Sequence, residues 1–206
     1  MSSGTRTVAV VDYGAGNVYS VRRALEKAGA AVVLTADPTE LRRTDGVVFP
    51  GQGSAKAAMD LLNASGLADV LREHARADKP LLGVCLGMQL FFGANEEGPS
   101  HGLDLLPGRV ALMRGERRVP HMGWNDLAFS KPSPLLDNIP DGAYAYWAHS
   151  YQVLPDDRSD VVAVSEYGGE VVGVVGRGNL LGTQFHPEKS GETGLRMYEN
   201  FVRLLG

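Results

Sequence analysis

The stretch Pro80-Leu81-Leu82-Gly83-Val84-Cys85-Leu86-Gly87-Met88-Gln89 decides the fold and most of the chemistry. A short apolar run reads as a buried strand over 81–84 that ends at a cysteine, and the pattern after it predicts a short helix over 86–92. Glycines stand two residues before and two residues after Cys85. That is the spacing of a nucleophile elbow, with cysteine in place of serine. A side chain held at a sharp strand-to-helix turn needs neighbours without a Cβ, or chain segments collide. The turn aims the sulfur at a helix N-terminus, whose partial positive charge favours thiolate by about 0.3 to 1 kcal/mol. The same turn directs the backbone N–H of Leu86 toward a developing oxyanion. The competing reading is a lone cysteine acting as a small buried hydrophobe.

Working outward, β-rich runs at 7–11, 31–34, 46–49 and 81–84 alternate with helical patterns. Asn17 is placed to cap a helix carrying Val18, Val21, Leu25 and Ala28, and Gly29 ends it. Residues 54–77 carry a second helical pattern with a break at Ser65-Gly66. Strands alternating with helices imply crossover units and a parallel sheet covered on both faces. The second half differs: runs at 108–113, 144–151, 161–167, 171–175 and 180–184 follow one another through turns, and a helical pattern returns only at 193–205. The expected fold is therefore α/β, with a mostly parallel central sheet flanked by helices and additional antiparallel strands in the C-terminal half. Its 206 residues sit nearer one domain than two at about 150 residues apiece, so residues 1–206 are expected to form one domain.

Three further segments carry chemistry. In Thr183-Gln184-Phe185-His186-Pro187-Glu188-Lys189, extended geometry turns residues i and i+2 to one side, and Pro187 biases His186 toward that geometry. Glu188 can then hold one ring nitrogen of His186 while the other takes a proton from a thiol. A surface histidine near a glutamate is the bland alternative. His74, His101, His121 and His149 are rival bases; His74, in a charged helix, reads as a solvated surface residue, whereas His121 and His149 lie beside aromatics. The loop Phe49-Pro50-Gly51-Gln52-Gly53 follows the third strand and should reach the sheet edge where ligands bind, offering a second oxyanion donor. It also fits an ordinary type II turn with Pro50 first and Gly51 second.

Composition narrows the class. Twenty basic against 24 acidic side chains give a formal charge of -4, without the basic face that nucleic acid demands. One cysteine excludes an internal disulfide and any multi-cysteine zinc site. No apolar run reaches the roughly 18 residues of a membrane span, and the first residues lack a signal-peptide pattern, so the cytoplasm is the expected address.

Taken together, the G-V-C-L-G-M-Q elbow, the P-G-x-G loop and the H-P-E triplet resemble the triad (class I) glutamine amidotransferases. The opening Asp12-Tyr13-Gly14-Ala15-Gly16-Asn17, the segments Val119-Pro120-His121-Met122-Gly123-Trp124-Asn125 and Tyr146-Trp147-Ala148-His149-Ser150-Tyr151, and the ending H-P-E-K-S-G are similar to the glutaminase subunits of imidazole glycerol phosphate synthase. The resemblance implies that Cys85 attacks the side-chain amide of glutamine, that His186 shuttles the proton and that Glu188 orients His186. It implies oxyanion donors at Gly51 and Leu86, and glutamine binding by Gln89, Glu97, Ser150 and Tyr151. It further implies a (β/α)₈-barrel cyclase partner that uses the ammonia in histidine synthesis, with Asn17, Trp124, Tyr146 and Lys189 at that interface or gating the passage. No cofactor and no metal are implied. Without the resemblance, Trp124 and Tyr146 read equally as core and Lys189 as a solvated charge. Three positions depart from the family's habit: Gln52 replaces an aliphatic residue, Ala55 an aromatic one and Trp147 a phenylalanine. Two rivals remain at this stage, a glutaminase serving another synthase such as that for pyridoxal phosphate, and a non-catalytic module on the same fold.

Overall fold

The computed structural model describes residues 6–14, 16–98, 100–115 and 118–206; Ala15 of the opening motif lies outside the described residues. In chain order the elements are β1 (Thr7–Val11), α1 (Val18–Lys27), β2 (Ala31–Thr35), α2 (Pro38–Arg42), β3 (Gly46–Gly51), α3 (Ala55–Ser65), α4 (Leu67–Arg76), β4 (Leu81–Cys85), α5 (Leu86–Gln89), β5 (Phe92–Asn95), β6 (Ser100–His101), β7 (Leu106–Leu112), β8 (His121–Asp126), β9 (Ala128–Phe129), β10 (Tyr144–His149), β11 (Tyr151–Pro155), β12 (Val161–Glu166), β13 (Glu170–Arg177), β14 (Leu180–Thr183) and α6 (Gly191–Arg203). Eight strands form the central sheet in the order β2-β1-β3-β4-β14-β13-β12-β9. Pairing is parallel from β2 through β14 and antiparallel beyond it. A four-stranded sheet (β11-β7-β5-β6) and the ribbon β10-β8 stand apart from it.

Period-2 alternation builds two cores from the same strands. Val8, Val10, Val48, Leu82 and Val84 pack on one face with Leu25 of α1 and Phe201 of α6. Ala9, Val11, Val47, Phe49 and Leu81 pack on the other with Leu62 and Leu71 of α3 and α4. Helix ends follow the expected punctuation at Gly29 and Gly66, whose φ values of 96° and 74° suit glycine. Among the described residues no helix is long and apolar enough to cross a membrane.

Several expectations are corrected. The predicted helix over 86–92 closes at Gln89, because Phe92 pairs with Leu106 as the start of a strand. Its apolar run carries no period that separates a buried helix from a buried strand. The run at 144–151 is two strands in two sheets: β10 pairs β8, β11 pairs β7, and the break falls at Ser150. β14, expected among the antiparallel additions, runs parallel to β4, and this brings residues 184–188 to the same sheet edge as Cys85. Asn17 occupies the cap position of α1 but its side chain makes no capping hydrogen bond; Asp37 does cap α2, accepting from Thr39 N at 2.8 Å.

His74 is the clearest reversal. It is 4% exposed, and its Nε2 lies 3.2 Å from the Pro80 carbonyl, to which it donates. Burial, with nearby Lys79, pushes its pKa down to about 4 against the pull of that carbonyl. Below its ordinary value near 6.5 the unfolded chain binds a proton that the folded chain refuses. The stabilisation is therefore complete above pH 6.5 and drains away as pH falls toward 4. His74→Gln is expected to flatten that acid limb, by up to about 1.4 kcal/mol per pH unit for one proton, in denaturation curves recorded from pH 7 to 4.

Candidate active site

Cys85 joins β4 to α5 with φ 55° and ψ −111°, a left-handed conformation that few residues with a side chain adopt. The flanking glycines make that turn possible. A Cβ on Gly87 would lie 1.8 Å from the Phe49 carbonyl oxygen, and one on Gly83 would lie 2.7 Å from Met88 N. The parallel register then sets Gly51 against Cys85 across β3 and β4. Gly51 has no positive φ and belongs to the strand, so the type II turn does not form. It is packed under Tyr13 and Leu86: a Cβ there would lie 2.7 Å from Tyr13 Oη and 2.9 Å from Leu86 Cβ. Burial and the neighbouring Cys85 raise the Tyr13 phenol well above its ordinary value.

From the end of β14 the chain carries His186 and Glu188 to the same place. His186 Nδ1 donates to Glu188 Oε1 at 2.9 Å, with both side chains buried. The Nδ1 bond leaves Nε2 for Cys85, which is near enough to favour the charged ring. Burial alone would lower the pKa of His186, but the bonds to Cys85 and Glu188 and their charges together outweigh it and lift the value to about 9. The carboxylate thus holds the imidazole, and the imidazole neighbours the sulfur.

Cys85 and His186 open on a cavity of about 330 Å³, lined by Gln52, Gly53, Cys85, Leu86, Gln89, Glu97, Pro120, Met122, Ala148, His149, Ser150, Tyr151, His186 and Lys189. Gln89, Glu97, Ser150 and Tyr151 therefore all reach it, while Gly51 does not line it. Gln89 Nε2 donates to the Tyr151 carbonyl at 3.0 Å and to Gln184 Oε1 at 3.1 Å, so its two hydrogens are taken and its Oε1 is what it offers a ligand. Glu97 Oε2 accepts from Ala55 N at 2.9 Å, supplying the cap that Ser54 does not give α3.

His149 is not a rival base. Its Nδ1 donates to the Tyr151 carbonyl at 2.8 Å, so its Nε2 accepts from His121 Nδ1 at 3.1 Å. Burial, with His121 and His186 nearby, pushes its pKa down to about 4. His121 stacks between Trp147 and Tyr167. Beside Lys189 of the cavity wall, Tyr146 lies with its ring 5.7 Å from Lys189 Nζ and meets Trp124, 56% exposed, edge-on at 6.0 Å. Trp124 is thus not core, and Lys189 is not a detached surface charge. Asn17 follows the loop whose Gly16 packs near Gly51.

Sequence reasoning missed Gln184, which is fully buried with Nε2 3.8 Å from Cys85 Sγ. The period-2 rule that pairs His186 with Glu188 also points to Gln184, two residues earlier.

The family model for class I glutamine amidotransferases matches residues 9–205. The chain belongs to that family. Its sequence is 49% identical over 202 residues to the imidazole glycerol phosphate synthase subunit HisH of Geobacillus kaustophilus, covering 95% of each chain. It is 48% identical over 204 residues to the HisH subunit of Halobacterium salinarum, covering 95% of this chain and 92% of that one. Among solved structures, PurLQS from Thermotoga maritima superimposes with a TM-score of 0.75 at 21% identity, covering 98% of this chain and 100% of that one. A crystal structure of a glutamine amidotransferase gives a TM-score of 0.77 at 20% identity, covering 97% and 98%. At those identities the solved structures speak for the fold alone.

The two partners of His186 can be separated by titration. Its NMR midpoint is expected near pH 9 in the unaltered chain and lower in both Glu188→Gln and Cys85→Ala. A midpoint unmoved in either variant would mean that the removed partner does not hold the imidazolium.

Proposed function

We propose that the chain is a single-domain glutaminase that hydrolyses glutamine to glutamate and ammonia, and delivers the ammonia to a (β/α)₈-barrel cyclase in the histidine pathway of the cytoplasm. The observation that carries this reading is that Cys85 and His186 meet at the wall of one cavity, with His186 Nδ1 held by Glu188 at 2.9 Å. The Cys85 thiolate attacks the side-chain amide carbon of glutamine, and the Leu86 N–H stabilises the oxyanion, with Gly51 as the second donor once its strand turns toward the cavity. The His186 imidazolium gives its proton to the departing nitrogen, and a thioester remains. Water, deprotonated by His186, then cleaves the thioester and releases glutamate. Glu188 keeps the proton on Nδ1 throughout.

The amino-acid head group is held by the Gln89 Oε1 acceptor, the Glu97 carboxylate and the Ser150–Tyr151 backbone. Asn17, Trp124, Tyr146 and Lys189 face the cyclase. Dry contact there suits the cargo, because ammonia in water becomes ammonium, which is no nucleophile. Relatives at 48–49% identity carry the HisH name, which favours this reading over a glutaminase for pyridoxal phosphate synthase. A non-catalytic module would have no need of a buried imidazole held charged beside a thiol.

The test is a glutaminase assay with and without a barrel cyclase and its nucleotide ligand. Glutamate formation is expected to be low for the chain alone and to rise in the complex. Cys85→Ser is expected to stay folded and lose glutamine-dependent turnover by at least roughly 10³-fold, while ammonium salts still feed the cyclase. No glutamate in the complex, or loss of the ammonia-fed reaction in Cys85→Ser, would refute the assignment.

A further inference from the structure

Cys85 Sγ has a second polar neighbour besides His186. Gln184 places Nε2 3.8 Å from the sulfur, within reach of a hydrogen bond to this large atom, and its side chain is wholly buried. The surrounding groups fix which end of the Gln184 amide faces the sulfur. The Tyr151 carbonyl only accepts, so the Gln89 group beside it is the NH₂. The second hydrogen of that NH₂ points to Gln184, so Gln184 presents its oxygen there. The Gln184 NH₂ is thereby left facing the sulfur. His149 Nδ1 also donates to the Tyr151 carbonyl and holds it in place.

We infer that Gln184 is a fourth member of the catalytic group, an amide donor that stabilises the Cys85 thiolate and ties its charge to the orientation of Gln89. This rests on the glutaminase reading above and adds a residue to it. A donor to the charged form of a group favours that form, and bonds to ions are about twice as strong as neutral ones. The proton leaves Sγ for His186 Nε2; Gln184 transfers none. As the thioester forms, the sulfur loses its charge and the Gln184 bond weakens, so the donor favours thiolate as attacking and as leaving group. The same amide fixes Gln89, so the residue that receives the substrate and the atom that attacks it share one hydrogen-bonded support.

Cys85 is the sole cysteine of the chain, so alkylation reads it alone. The rate of reaction with iodoacetamide, which forms the S–C bond and expels iodide, rises with pH through the thiolate midpoint. Gln184→Met, which keeps the volume and removes the donor, is expected to move that midpoint up by about one unit. Gln184→Glu, which sets a carboxylate beside the sulfur, is expected to move it further. Midpoints within about 0.2 unit of the unaltered chain in folded variants would overturn the inference. Should neither variant fold, the side-chain amide protons of Gln184 in the unaltered chain are expected to shift through the Cys85 midpoint, and resonances that ignore it would overturn the inference equally. Glutamate release by the unaltered complex is scored separately: its absence sinks the glutaminase reading, whereas unmoved midpoints sink only the role of Gln184.

Discussion

The left-handed backbone at Cys85 is the constraint on which the rest of the molecule depends. A residue with a side chain at φ 55° is held there only where its surroundings over-determine it. Here the Phe49 carbonyl approaches so closely that Gly87 has no room for a Cβ, and Gly83 is closed in by the backbone of the following helix. Those contacts press α5 onto the ends of β3 and β4. Cys85 is left 8% exposed at the edge of the sheet, at the border of the core that packs α1 and α6. Strand order completes the site. Because β14 lies beside β4 and runs parallel to it, the chain leaving β14 passes the same edge within a few residues, and His186 and Glu188 follow.

Three buried histidines show how the same side chain is driven to opposite states. His74 and His149 each face a neutral carbonyl and cationic neighbours, and desolvation wins, taking both to about 4. His186 suffers the same burial, yet it stands between a thiol and a carboxylate and ends near 9. Opposite charge at hydrogen-bond distance in a poorly solvated site decides the difference. His149 staying neutral matters to His186, since a second imidazolium nearby would weaken the one that is needed.

Much of the first half was legible because strands buried on both faces read as unbroken apolar runs, and the elbow was legible because two glycines bracket one cysteine. The H-P-E triplet was legible through its period of two. The failures share a cause: each depended on a partner that only the folded chain brings alongside. His74 looks solvated until Pro80, six residues on, turns its carbonyl back to it. Ser150 reads as mid-strand until β7 and β8 claim the two flanks for different sheets. Glu97 carries no sign of capping a helix that starts 42 residues earlier. Gln184 was visible by the same alternation as His186, but an amide attracts no notice until the sulfur is seen beside it.

Strand β10 and the imidazole of His186 are one mechanical unit. The backbone N–H of His186 donates to the Tyr146 carbonyl at 2.9 Å, and the Tyr146 N–H donates to Ser190 Oγ at 2.9 Å. Ser190 Oγ in turn donates to the His186 carbonyl at 2.7 Å, closing a ring of three bonds between β10 and residues 186–190. The Tyr146 side chain, on that same residue, carries Lys189 above its ring and Trp124 at its edge. Exposed Trp124 and half-buried Tyr146 are thus joined through one residue's backbone to the imidazole beside Cys85. Nothing flexible intervenes, since β10 is paired with β8 along its whole length from Tyr144 to His149. A protein that docks on Trp124 therefore bears on the strand that positions His186. The aromatic face around Trp124 and the imidazole of His186 are thus tied to the same strand.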